Sequence, residues 1–220
     1  MKRIKIALVL NIIIFLLTII ASVIMFTGFK FMSGSEIVLE STKLGMFSFF
    51  TVDSNLFMGM IALVSAWYEY QLLTKKKKEI PRLIYLLKLM ATTGVTLTFV
   101  IVFTYLSYIA DGGFYVMIMN SNLFFHLIIP VLSIITFMFF EKNNKLKLKD
   151  TLYGLVPTSV YAVYYLINVL VHMENGKVSS KYDWYWFVQN GIWTVVIVIP
   201  IVFGLTYLIS LILWKVNKEK

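Results

Sequence analysis

Six long apolar runs constrain the fold of this chain more than any other feature of its sequence. They cover residues 6–29, 47–73, 83–110, 123–140, 152–171 and 187–213. A bilayer core about 30 Å thick takes about 20 mostly apolar residues to cross as a helix. Because backbone polar groups inside a membrane must bond within their own segment, each run is expected to be helical. We therefore predict an all-α polytopic membrane protein, with residues 1–220 forming a single domain of six transmembrane helices.

The composition agrees with a membrane protein and excludes several kinds of site. Hydrophobic residues make up 60% of the chain and charged residues 14%, whereas about 25% of a soluble domain is charged. Cysteine is absent, and the two histidines, His126 and His172, lack ligand spacing, so we expect no disulfide, thiolate nucleophile, metal or cofactor. The net charge of +9 is carried between the apolar runs, so we expect no nucleic-acid partner.

The basic residues predict how the helices are oriented. Fifteen of the 20 Lys and Arg residues fall in segments on the same side as the N-terminus, and four fall on the opposite side. By the positive-inside rule, both termini are expected in the cytoplasm, and the run Lys75–Lys78 is expected to lie near anionic lipid. Lys88 lies one turn inside the third run, so its ammonium group is expected to extend back to that surface.

Polar side chains lie at one depth near the outer ends of the predicted helices. Thr51 is about 7–8 Å and His126 about 6 Å below the outer boundary. Ser54 and Asn55 follow Thr51 one turn later, and residues at this spacing share a helix face. Asn190 lies in the first turn of the predicted sixth helix, while the inner halves hold few polar residues. The sequence predicts one outer pocket lined by Thr51, Asn55, His126 and Asn190, and an inner half packed by apolar side chains.

Two interpretations of this pocket are open from the residues alone. His126 is the general-base candidate, and Pro130, four residues later, leaves the His126 carbonyl without its usual helical donor. A hydroxyl at the same depth supplies a possible nucleophile in Thr51. The alternatives are a histidine that only packs, and asparagines at 55 and 190 that only join helices by hydrogen bonds.

Several further polar and aromatic residues have a structural interpretation beside a functional one. The dense segment 182–187 predicts either an interfacial aromatic belt or a lid over the pocket, and the belt is the more usual case. Asp53 points about 200° away from Thr51 around the helix, so we expect it to bond to a neighbouring helix through Tyr105 or Tyr108. His172 is expected to be an interfacial residue.

The order of four short motifs resembles one family. The run FFTVDSNL at residues 49–56 resembles the FT-x-x-SN signature in the second helix of bacterial six-span proteins related to the androgen-induced, FAR-17a-like family. His126 and Pro130 are similar to the H-x-x-x-P of its fourth helix, and Pro157, Tyr161 and Tyr165 continue the order. The segment YDWYWF at 182–187 resembles an outer YPY-type loop, with Trp in place of proline.

The resemblance implies a function. Animal members of the family are intramembrane threonine hydrolases that cleave fatty acid esters of hydroxy fatty acids. Their nucleophile and base correspond here to Thr51 and His126. Apart from the resemblance, Ser54, Asn55 and Asn190 are candidate substrate and oxyanion contacts from their position beside the predicted pocket. The expected protein is a hydrolase of membrane lipid esters in a bacterial plasma membrane. The alternatives are a lipid-binding membrane protein without catalysis and a small transporter.

Overall fold

Six long helices build the fold, as the apolar runs predict. The computed structural model describes residues 1–32, 41–109, 113–188 and 191–218. Within these ranges the long helices are α1 Lys2–Thr27, α2 Phe50–Leu73, α3 Arg82–Leu106, α4 Leu123–Phe140, α5 Leu148–Val171 and α6 Val195–Asn217. Each is long and apolar enough to cross a bilayer. The all-α class and the six spans are confirmed, and the chain is an integral membrane protein.

Helix α1 begins four residues earlier than predicted, α2 three residues later and α3 one residue earlier. Two further differences, at α5 and α6, have a visible cause. Helix α5 begins at Leu148, because the Asp150 carboxylate accepts a hydrogen bond of 2.7 Å from the Lys147 backbone N–H and starts the first turn early. Helix α6 begins at Val195, later than the predicted residue 187. Phe187 instead belongs to a folded connecting segment that Asp183 holds. The expected first-turn residue Asn190 lies outside the described ranges.

Helix α1 packs on α2 through a narrow stripe. Its buried residues recur at alternating spacings of three and four, and they are Ala7, Asn11, Ile14, Thr18, Ala21 and Met25. Beyond its charged first turn, the exposed large side chains of α1 are apolar, mostly Ile, Leu and Val, as a lipid-facing helix requires. Gly59 lets α2 approach closely, since a Cβ there would lie 2.8 Å from Thr18 Cγ2. Small residues serve this purpose in membrane helix pairs.

The six helices define two ends of the bundle. One end carries the N-terminus and the loop 74–81. Near this end, Asn11 of α1 contacts Glu69 of α2, and Lys88 of α3 contacts Glu141, which follows α4; both contacts are buried. Asn217, at the end of α6, bonds to the carbonyl of Glu141 at 3.0 Å. We call this the basic end. The other end carries Thr51 and His126, and we call it the opposite end.

Helix α4 departs from regular α-helix around its histidine. Residues Leu123–Ile128 form a π-helical turn, followed by α-helix from Ile129. Pro130 has no N–H to offer the carbonyl of His126 four residues earlier, so the backbone ladder is interrupted at this point. Wider turns of this kind occur where a helix accommodates such a disturbance. His126 lies inside this turn.

Candidate functional site

A cavity of about 110 Å³ lies at the opposite end, among α2, α3, α5 and α6. We call it the aromatic cavity. Thr51 lines it from the first turn of α2, and Thr98 and Thr158 line it from α3 and α5. The other lining side chains are apolar or aromatic, for example Ile101, Val102, Tyr161, Tyr185, Phe187 and Val198. A concave, mostly apolar surface with a few hydroxyl groups is typical of a site for an apolar ligand.

One wall of the aromatic cavity is formed by residues 182–188, which we call the aromatic segment. Its anchor is Asp183, 0% exposed. The Asp183 carboxylate accepts hydrogen bonds of 3.0 Å from the backbone N–H groups of Phe187 and Val188, and it also accepts one from the Tyr165 hydroxyl. Asn168 donates to the Tyr182 carbonyl at 2.9 Å. These bonds fold the segment onto α5.

Three aromatic side chains connect this segment to the start of α2. The Tyr185 hydroxyl accepts a hydrogen bond of 2.9 Å from the Phe50 N–H, one of the helix-start donors that no carbonyl of the helix reaches. Tyr161 donates to the Ser48 carbonyl at 2.6 Å and accepts from the Trp184 ring N–H at 3.0 Å. Burial raises the pKa of Tyr185 to about 12, so its hydroxyl keeps its proton at neutral pH.

The aromatic residues thus divide into two groups that the sequence did not separate. Trp67 and Tyr70 are half exposed near one helix end, as an interfacial belt requires. Trp184 and Tyr185 instead pack against the buried core, and Tyr185 also lines the cavity. The belt and the lid both stay predictions for this segment. The signal in the sequence was Asp183, an acidic residue inside a run of aromatic ones.

Ser54 and Asn55 lie next to Thr51 but do not line the aromatic cavity. The Ser54 hydroxyl donates to the Thr51 carbonyl at 3.1 Å. The Asn55 amide donates to the carbonyls of Thr51 at 2.7 Å and Phe125 at 3.1 Å, which joins α2 to α4. The bond to Phe125 is an interhelical contact of the kind that the alternative interpretation of Asn55 anticipates, whereas the two bonds to the Thr51 carbonyl lie within α2. A contact of either residue with a substrate stays a prediction.

His126 is 1% exposed, and it is not one of the residues that line the aromatic cavity. Its Nδ1 lies 2.5 Å from the Met117 carbonyl oxygen. A carbonyl only accepts, so Nδ1 carries the hydrogen and the neutral ring keeps its lone pair on Nε2. This tautomer is the one a general base needs, with Nδ1–H held by an acceptor.

The predicted shared pocket is therefore not formed as expected. Thr51 lines the aromatic cavity, whereas Asn55 and His126 are buried in the packing between helices, and Asn190 lies outside the described residues. The sequence showed that these groups lie at similar depth, but depth alone does not fix the direction in which each helix face points. The pairing of Thr51 with His126 stays a prediction.

Asp53 and His172 have separate positions. Asp53 is half-buried, whereas Tyr105 and Tyr108 are exposed. No hydrogen bond joins them, so that expected contact is wrong. The His172 ring stacks on Tyr182 with 3.6 Å between centroids, in keeping with an interfacial residue at the end of α5.

The basic end corrects two expectations. A second cavity of about 110 Å³ lies there, and it is lined by charged side chains including Glu69, Lys88 and Glu141. Lys88 does not extend to the surface: it is 1% exposed, and its Nζ lies 3.2 Å from Glu141 Oε1. The inner half is therefore not packed by apolar side chains alone. The missed signal was a pair of opposite charges, Glu69 and Lys88, at similar distances from the same end.

Comparison with known proteins gives no relative. No family model matches the chain, and no curated protein or solved structure matches it. Within the described ranges, no three side chains of His, Cys, Asp or Glu come together to hold a metal ion. The inference of function therefore starts from the cavity that Thr51 lines.

Proposed function

We propose that this protein binds the acyl chain of a membrane lipid in the aromatic cavity and cleaves an ester of that lipid with Thr51. The observation that supports this most is the place of Thr51, on the wall of a cavity whose other lining groups are mainly apolar and aromatic. An acyl chain needs such a surface, and an ester at its end needs a nearby nucleophile. The FT-x-x-SN motif and its resemblance to threonine hydrolases favour the same residue.

The proposed reaction uses groups of this chain in two steps. The Thr51 oxygen attacks the ester carbonyl, its proton passes to His126 Nε2 directly or through a water, and the alcohol leaves with that proton. Water then hydrolyses the acyl-threonine to the free acid. The first turn of α2 presents the positive end of the helix dipole near the developing oxyanion. Tyr185, with its retained proton, is an additional candidate donor to that oxyanion.

A second candidate is a lipid-binding protein without catalysis. The observation that favours it is the position of His126, which does not line the aromatic cavity and whose Nδ1 is engaged by the Met117 carbonyl. Both candidates place the same ligand in the same cavity. They differ in whether Thr51 reacts.

The experiment that separates them is covalent labelling with a fluorophosphonate, combined with hydrolysis of fluorogenic fatty-acyl esters by the protein in nanodiscs. Thr51→Ala is expected to abolish labelling and hydrolysis. The matched control is Thr158→Ala, which removes a hydroxyl from another wall of the same cavity and is expected to keep both. His126→Gln is expected to lower the rate about 100-fold or more.

The outcomes are distinct. Hydrolysis by folded Thr51→Ala protein at the wild-type rate would contradict the nucleophile assignment. A wild-type protein that is not labelled and does not turn over, yet co-purifies with a stoichiometric acyl lipid, would favour the second candidate. Rates are normalised to folded protein, since a histidine that only packs would lower the folded fraction rather than the rate per folded molecule.

We also propose that the basic end faces the cytoplasm of a bacterial cell, with the aromatic cavity toward the outer leaflet. The support is the excess of Lys and Arg at that end. Because the chain has no cysteine, single cysteines at Tyr115 and Lys76 can be probed with an impermeant maleimide. Tyr115→Cys is expected to react in intact cells and Lys76→Cys only after permeabilisation. The reverse pattern contradicts the orientation.

A further inference from the structure

Buried polar and charged side chains of the first four helices meet near the basic end. They are Asn11 of α1, Ser65 and Glu69 of α2, Lys88 of α3, and Glu141, which follows α4. We call them the ionic cluster, and the second cavity beside them the ionic cavity. Ionisable groups at membrane depth are costly and are therefore retained mainly for a function. The proposed hydrolysis at Thr51 makes no use of them.

One amide group connects the charges. Asn11 Nδ2 donates to both carboxyl oxygens of Glu69, at 3.1 and 3.0 Å, and to Glu141 Oε1 at 2.7 Å. Asn11 Oδ1 accepts a hydrogen bond from Lys88 Nζ. Both carboxyl groups and the ammonium group are thus held around a single neutral side chain. Glu69 also interacts electrostatically with Glu141 and Lys88.

The charges of this cluster do not balance if all three groups are ionised. Two carboxylates and one ammonium leave one negative charge, and an uncompensated buried charge is strongly unfavourable. The other titratable and charged groups that line the ionic cavity are Arg3 from α1, Tyr85 from α3, and Lys142 beside Glu141. Arg3 is exposed and Lys142 is half-buried, so solvent screens them in part.

Two buried polar atoms beside the ionic cavity mark a place for a ligand. Glu141 Oε2 and Ser65 Oγ have no hydrogen-bond partner among the described residues, and both residues line the cavity. A carboxylate oxygen without a donor is costly in a buried site. A proton shared by Glu69 and Glu141 supplies the missing hydrogen-bond donor and neutralises the excess negative charge.

We propose that Glu69 and Glu141 hold one proton between them, which they exchange with solvent at the basic end through the ionic cavity. The ionic cluster is thus a proton-binding site shared by α1 to α4, with the bound proton making the cluster neutral. Lys88 sets the stoichiometry, because its positive charge balances one carboxylate and leaves the other to take the proton. This proposal does not depend on the proposed hydrolysis.

The test is infrared spectroscopy of the protein in nanodiscs at neutral pH, in H₂O and in D₂O. A carboxylic acid gives a C=O band separate from the carboxylate bands, and the band shifts on deuteration. All measurements are made in an Asp53→Asn background, so that the other carboxyl group of α2 contributes nothing. The expected result is one acid group per chain that is assigned to the cluster.

The variants distinguish a shared proton from two independent acids. Glu69→Gln and Glu141→Gln are each expected to remove the whole band, because Lys88 then balances the remaining carboxylate. Lys88→Met is expected to raise the band about twofold, as the second carboxylate also takes a proton. Glu79→Gln is the matched control, since that side chain is 74% exposed, and is expected to leave the band unchanged.

Three results would overturn the proposal. The Asp53→Asn protein with an unaltered ionic cluster could show no acid band, a result that needs no substitution within the cluster. Each Gln variant could remove only half of the band, which indicates two independent acids. Thermal stability could depend on Na⁺ compared with choline at constant ionic strength, which indicates a metal cation in the ionic cavity in place of the proton.

Discussion

The two cavities have the same volume, about 110 Å³ each, but opposite chemistry. Helices α2 and α3 contribute to both, and Thr51 and Glu69 are separated by about 27 Å along α2 at 1.5 Å per residue. One cavity is lined mainly by apolar and aromatic side chains. The lining of the other combines apolar side chains with two carboxyl groups, two lysines and an arginine. The comparison shows that the lining residues, and not the volume, determine what each end of the same helix can bind.

The two regions also differ in how they are held together. In the ionic cluster, the polar bonds lie at the centre and join four helices. At the aromatic cavity, the polar bonds lie at the edge, where Asp183 and Tyr161 fix the aromatic segment, and the interior has few. We therefore expect substitutions in the ionic cluster to change stability most, and substitutions at the aromatic cavity to change ligand binding more.

The largest effect on stability is expected for Asn11→Ala. This change removes the amide that contacts Glu69, Glu141 and Lys88, so it is expected to lower the free energy of unfolding by about 3 kcal/mol. The control is Thr18→Ala on the same buried stripe, where the hydroxyl bonds only to its own helix at Ile14 O. Thermal unfolding in detergent measures both, and equal losses would contradict the central role of Asn11.

The next effect is expected for Asp183→Ala. The change leaves the buried N–H of Val188 and the part-buried N–H of Phe187 without an acceptor, so it is expected to cost about 2 kcal/mol and to release the aromatic segment. Quenching of tryptophan fluorescence by a water-soluble quencher should rise, because Trp184 becomes accessible. Lys181→Ala, next to the segment, should leave both readouts unchanged. If Asp183→Ala is quenched no more than the wild-type protein, the aromatic segment is held by packing alone.

A smaller effect, confined to ligand binding, is expected for Ala162→Phe. Ala162 lines the aromatic cavity, so a larger side chain fills the space and is expected to weaken acyl-ester binding about tenfold, or about 1.4 kcal/mol. The adjacent Val163 is 58% exposed, and Val163→Phe should bind as the wild type does. Titration with a fluorescent acyl ester in nanodiscs compares them. Equal affinities in the two variants would place the ligand elsewhere.

The smallest effect is expected for Tyr161→Phe. The loss of one hydroxyl that donates to the Ser48 carbonyl and accepts from Trp184 is expected to cost about 1 kcal/mol. Tyr164→Phe is the control on the same helix, since that side chain is 44% exposed. If both variants unfold at the same temperature, the hydroxyl of Tyr161 does not stabilise the aromatic segment.

Most of the fold could be predicted from the sequence, because the length of an apolar run is a local property. The six spans follow from hydropathy and the bilayer thickness alone. The start of α6 could not be predicted in this way, since Phe187 and Val188 are apolar enough to be counted with the run that follows. Whether they join the helix is decided by Asp183, whose carboxylate binds the backbone of Phe187 and Val188.

The candidate sites could be predicted only in part, because they depend on how helices face one another. Depth counting placed Thr51 correctly near one end of the bundle, but it could not show that His126 lies outside the aromatic cavity. The ionic cluster was missed for the same reason. Each of its charged residues lies near a helix end, where a solvated side chain is the usual expectation, and only the packing of four helices reveals that they meet.

Acyl-chain binding in the aromatic cavity is tested most directly by photo-cross-linking with a fatty-acyl ester that carries a diazirine in its chain, mapped by mass spectrometry. Cross-links removed by excess unlabelled ester are expected on residues 97–106, 158–166 and 195–203, which border the aromatic cavity, and Ala162→Phe is expected to lose them. Competed cross-links at residues 65–72 and 80–88 around the ionic cavity, or none that excess ester removes, would contradict acyl-chain binding in the aromatic cavity.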